Sequence, residues 1–224
     1  MLAAGQIVTY ALQAVKAPQY TTQAGDFLNA RLATLARRYD FDVLLKAGTL
    51  NVTSGVQGYS APSDYVRGKQ FWYYIGGLPN EIDEMSLEQY NALNAGVLQM
   101  SYPTNWTSNP ALSPAQIYLY PMPNTSFPLS FQYYSQPADI SNPATSGIVP
   151  WFPDSVYLQT QLTADLMALT DDTRHAEFSA RAEGMLKQFL EMQGDREGYA
   201  RTVKKGQGFR NIFTKLPPSK ITGF

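Results

Sequence analysis

Prolines crowd the middle of this chain. Pro103, Pro110, Pro114, Pro121, Pro123 and Pro128 fall within a short span of its 224 residues. A proline gives no N–H to a β ladder, so sheet built here must use short or edge strands. Residues 102–107, 116–120 and 129–134 read as such strands, being rich in aromatic and branched side chains. Upstream, residues 49–53 alternate like a strand, and residues 71–75 form an aromatic one closed by Gly76-Gly77. Residues 82–85 read as a further short strand. Gly55, Gly58, Pro62 and Asp64 mark turns. Ser86 is placed to cap one or two helical turns over 86–93. Short strands at regular turn spacing predict an antiparallel sandwich or barrel-like domain over residues 49–153.

The flanks have a different period. Ile7, Val8, Leu12 and Val15 predict a short helix that Pro18 ends. Phe27, Leu28, Leu32, Leu35 and Ala36 recur at helical spacing after Asp26, with Gly48 as the expected stop of the apolar run that follows. After Pro153, Asp154 is placed to cap a helix carrying Val156, Tyr157, Leu158, Leu162, Leu166 and Leu169 on one face. Asp171 and Asp172 interrupt it. Phe178, Met185, Leu186, Phe189 and Leu190 mark another. The expected class is α+β: helices over 1–48, a β insert over 49–153, helices over 154–194, and an extended tail over 195–224. Neither helical flank can bury its stripe alone, so the two are expected to pack as one bundle.

Charge divides the chain more sharply than its totals, 17 basic and 18 acidic residues, imply. Residues 195–224 hold seven basic residues against Asp195 and Glu197, a net +5. The rest carries −6. An acidic body with a basic tail is built to touch something beyond itself. Phe209, Ile212, Phe213, Leu216 and Ile221 argue against a merely solvated tail, since disordered segments are poor in such residues. The tail also lacks a recognisable DNA-binding motif. Charged residues are only 16% of the chain, and Tyr dominates its aromatics. Tyr suits surfaces that become buried on assembly.

Candidate chemistry is thin. No cysteine is present, which removes thiol catalysis, disulfides and Cys-based metal sites. His175 is the only histidine, near Asp171, Asp172 and Arg174, with Ser179 four residues on; no nucleophile-elbow motif accompanies them. Glu81, Asp83 and Glu84 resemble a hydrolytic carboxylate set but equally a solvated edge that discourages aggregation. Gly206-Gln207-Gly208 lacks the phosphate-loop Lys-Ser/Thr. The rings of Phe71-Trp72-Tyr73-Tyr74 and Tyr133-Tyr134 offer a sugar platform, although alternation sends half of them to the core. No catalytic residue, cofactor or metal site is expected. No run approaches a membrane span, and no secretory leader is expected from the first residues.

Several segments resemble one family. Leu28-Asn29-Ala30-Arg31-Leu32 through Tyr39-Asp40-Phe41-Asp42-Val43-Leu44-Leu45 is similar to the start of head-to-tail adaptor proteins of tailed phages, the group that includes the tail tubular A proteins of short-tailed phages. Gly58-Tyr59-Ser60-Ala61-Pro62-Ser63-Asp64-Tyr65 resembles their Tyr-x-x-Pro-x-Asp-Tyr segment. Ile117-Tyr118-Leu119-Tyr120-Pro121-Met122-Pro123 followed by Leu129-Ser130-Phe131-Gln132-Tyr133-Tyr134 resembles their paired strands, and Trp151 with the 154–169 helix their return helix. The resemblance implies a virion neck protein assembled in the bacterial cytoplasm. It implies a dodecameric ring under the portal protein, a downstream tail or nozzle partner, and double-stranded DNA passing through the channel. The tail would then dock on the portal through Arg201, Lys204, Lys205, Phe209, Arg210, Ile212, Phe213 and Lys215. The alternative is a virion-associated glycan-binding or cell-wall-degrading protein.

Overall fold

The computed structural model describes residues 1–96 and 99–201. The chain divides into two compact units, Met1–Ser155 and Val156–Phe224.

In the first unit, α1 (Ala4–Val15) and α2 (Thr21–Arg38) pack on each other. Ala4, Ile7, Val8 and Ala11 recur at three- and four-residue spacing and are buried, as are Leu28, Leu32 and Leu35. α1 ends where Lys16 turns left-handed, just before Pro18. Gly48 does not stop a helix. α2 ends at Arg38, Tyr39 is extended, and Asp42–Leu44 forms one 3-10 turn. Gly48 lies inside β1 (Leu45–Val52), directly opposite Phe131. A Cβ there would sit 2.5 Å from the Phe131 ring. The glycine is a seat for an aromatic ring, a role that helix punctuation cannot reveal.

The sheet continues through β2 (Gly58–Ser60), β3 (Tyr65–Ile75), β4 (Leu78–Glu84), β6 (Asn105–Asn109), β7 (Gln116–Tyr120) and β9 (Phe127–Ser135). The seven strands run β1-β9-β3-β4-β6-β7-β2 in a nearly closed, barrel-like sheet. A separate pair joins β5 (Met100–Ser101) to β8 (Met122–Pro123). The expected antiparallel pattern holds for most pairs but not all. β4 pairs with β6 in parallel, and so does β5 with β8. The connection from β4 to β6 contains α3 (Leu87–Asn94), which returns the chain to the same end of the sheet. Ser86 caps α3 as expected, in a reciprocal box with Gln89.

The barrel core is aromatic. Phe71 stacks on Trp106 at 4.0 Å and on Phe131 at 5.0 Å. β3 makes room for the indole at Gly68, beside a register irregularity against β9. A Cβ on Gly68 would lie 2.4 Å from Trp106. Gly68→Ala is therefore expected to cost roughly 1–3 kcal/mol by overpacking. Urea denaturation should show a lower midpoint; an unchanged midpoint would contradict this packing.

Residues 136–150 have no helix or strand and run as a strap beside α1 and α2. Asn29 grips both the N–H and the C=O of Ile140, each at 3.1 Å. Ala4 and Gly5 donate to the Ile148 and Ser146 carbonyls. Trp151 and Phe152 then pack on Phe41.

In the second unit, α4 (Ser155–Leu169) follows Asp154 directly. Its burial is wider than one face, taking in Gln161, Thr163 and Ala164, whereas Val156 and Leu169 are exposed. α5 (His175–Arg201) begins after Asp171 and Asp172, and its helical backbone includes residues 195–201, where the extended tail was expected to begin. Gly194, inside α5, costs the helix about 1 kcal/mol relative to Ala and does not by itself end it.

Candidate functional site

The segment carrying the Tyr-x-x-Pro-x-Asp-Tyr resemblance works as a clamp at the mouth of the sheet. The Tyr59 hydroxyl donates to the Val56 carbonyl at 2.7 Å and accepts from the Thr53 N–H at 3.1 Å. The Pro62 carbonyl accepts from the Tyr65 N–H and so closes a turn. That turn delivers Asp64 to Lys46 of β1 at 2.5 Å and to the Tyr133 hydroxyl of β9 at 3.0 Å. Tyr65 of β3 stacks on Tyr133 at 5.7 Å. One carboxylate thus ties three strands at one end.

The electrostatics follow. Burial disfavours ionised Asp64, but the Lys46 ammonium and the Tyr133 hydroxyl outweigh it, and the pKa falls below the ordinary 3.8. Burial, then the bonded Asp64 carboxylate, push Tyr133 up to about 12. A carboxylate whose pKa is depressed by folding stabilises the fold above its unfolded pKa. That contribution is lost as pH falls through the folded value. Asp64→Asn should cost about 0.5–1.5 kcal/mol near neutrality, since Lys46 is half exposed. The gap to wild type should close in acid below the carboxylate range, as read by urea midpoints at both pH values. A gap that stays constant would remove the charge from the account.

A groove of about 540 Å³ beside the clamp is lined by Lys46, Ser63, Asp64, Tyr65, Gln136 and Asp139. Lys46 and Asp64 are already paired with each other there, so neither is poised as an acid or base. A smaller cleft of about 190 Å³ between α2 and the strap is mostly apolar.

The other candidates separate in space. His175 is exposed at the start of α5, with a ring nitrogen 3.0 Å from the Asp172 carbonyl and no hydrogen bond to Ser179. Arg174 clasps Asp172 and lowers its pKa to about 2, so this acid serves as a structural anion beside the helix start. Glu81 accepts from Gln70 at 3.0 Å, and Asp83 and Glu84 are exposed on β4. Among the described residues no group of three His, Asp or Glu could hold a metal ion. No described helix is long and apolar enough to cross a membrane.

The ring platform divides as strand alternation demands. Phe71, Tyr73 and Tyr133 are in the core, while Trp72 is half-buried and Tyr74 exposed. Tyr134 is buried under Arg67 and Lys69, which sequence alternation alone did not show. Of the expected docking residues, Arg201 closes α5; Lys204, Lys205, Phe209, Arg210, Ile212, Phe213 and Lys215 lie outside the described residues. Sequence reading missed the Asp64 clamp. Its signal was the Pro-x-Asp-Tyr turn itself, which places a carboxylate at a strand entry.

These features define an α+β module whose conspicuous polar and aromatic side chains hold strands together. Residues 3–206 match the SU10 adaptor protein family, and the chain belongs to it. That membership supports a structural adaptor role in a phage. No curated protein matches the chain.

Proposed function

We propose that this protein is a head-to-tail adaptor that forms a homododecameric ring beneath the portal, extends the DNA channel and carries the tail or nozzle protein below. The observation that carries this reading is the family match over residues 3–206. The −6 body suits a wall that does not hold passing DNA. Residues 201–224 supply the portal grip, with Phe209, Ile212 and Phe213 as apolar anchors and Arg201, Lys204, Lys205, Arg210 and Lys215 paired to acids on the portal. No catalytic step is assigned.

Mass measurement of the protein mixed with its portal tests this. The expected species is a twelve-copy ring on the portal. A persistent monomer would overturn the ring. The glycan-binding alternative retains one observation, the outward rings of Trp72 and Tyr74. A monomer that sediments with peptidoglycan would favour it.

A further inference from the structure

The β3–β4 hairpin displays apolar surface on a fixed support. Tyr74 is 59% exposed, Ile75 42% and Leu78 71%. Gly76 and Gly77 both take positive φ, which gives a tight two-residue turn matched to strand twist. On the outward face with Tyr74 stand Glu81 and Asp83 of β4, both exposed, and neither has a cationic partner among the described residues. The chain has no Lys, Arg or His between Lys69 and Arg174 to supply one.

The same unit carries a surface of opposite character. Three of its cations are spent internally, in the pairs Lys46–Asp64, Arg67–Asp40 and Lys69–Asp42. Arg37 and Arg38, at the end of α2, have no carboxylate partner among the described residues. Arg37 donates to the neutral Gln136 side chain, and Arg38 lies over the Tyr39 ring. Close by in the chain, Val43 is 64% exposed.

Each surface thus combines exposed apolar side chains with unpaired charge, and the two signs are opposite. An apolar centre with a charged rim is the anatomy of a protein interface. Contact of like with like would set carboxylates against carboxylates, which is costly. Contact of one surface with the other is heterologous, and it repeats from copy to copy until a ring closes. We propose that the outward hairpin face of one copy docks on the α2 end of the next, with Tyr74 against Val43 and with Glu81 and Asp83 rimmed by Arg37 and Arg38. The contact rests on the ring reading above and names its subunit interface.

Charge reversal on each side tests it. One variant carries Glu81→Lys and Asp83→Lys, the other Arg37→Glu and Arg38→Glu. Each is mixed with the portal, and ring mass is measured beside circular dichroism. Each variant alone should stay folded and lose at least tenfold of the assembled fraction. An equal mixture should regain it, because the two kinds of copy can alternate round the ring. If either variant assembles like wild type, or if two folded variants fail to rescue each other, the contact is wrong. Should reversal unfold a variant, the Gln substitutions at the same four positions replace it, and they must also lower the assembled fraction. Wild-type protein that forms no ring overturns the ring reading itself, whereas wild-type rings with indifferent variants overturn only this contact.

Discussion

Deletion of residues 201–224 is expected to abolish portal attachment and to leave the body folded. A single tail with a few apolar anchors has few contacts with which to offset the cost of association. Tails displayed together on a ring bind as a set, and such avidity exceeds single affinity by about 10²–10⁴-fold. Their joint loss should remove attachment almost entirely. Sedimentation with portal reads the binding, and thermal unfolding reads the body. The aromatic core lies wholly within the first unit, so its unfolding should not follow the tail. Truncated protein that still attaches at wild-type strength would place the portal grip elsewhere.

Trp106→Ala should be the most damaging single substitution in the sheet. The indole is 1% exposed, stacks on Phe71 at 4.0 Å and covers Gly68. Truncating such a ring costs roughly 3–5 kcal/mol, from lost burial and from the cavity left behind. A domain is stable by only about 5–15 kcal/mol. The variant should show a urea midpoint far below wild type, with far-UV signal lost under conditions where wild type stays folded. A loss under about 1 kcal/mol would mean that the core repacks around the gap.

Much of the architecture is legible in local sequence. β7 occupies residues 116–120 as alternation predicts, and Ser86 and Gln89 announce α3. The capping box is a contact between residues three apart, so the chain carries it without help. Acidic and basic segments are likewise plain, since charge is a property of composition. The site is less legible, because its meaning lies in pairings between distant residues. Asp64 reads as a turn residue until β1 and β9 bring Lys46 and Tyr133 to it, respectively 18 and 69 positions away.

The sequence by itself determined the α+β class, the aromatic strands, the start of α3 and the acidic body with its basic tail. Each depends on residue type or on spacing within a few positions. Only the tertiary structure decided the rest. It made Gly48 and Gly68 seats for Phe131 and Trp106, set β4 parallel to β6, and buried Tyr134 beneath two cations. Among the described residues it also left Glu81 and Asp83 without cations while pairing Asp40, Asp42 and Asp64. A carboxylate finds or lacks its partner according to which strands become neighbours, and that adjacency is written in no local run of residues.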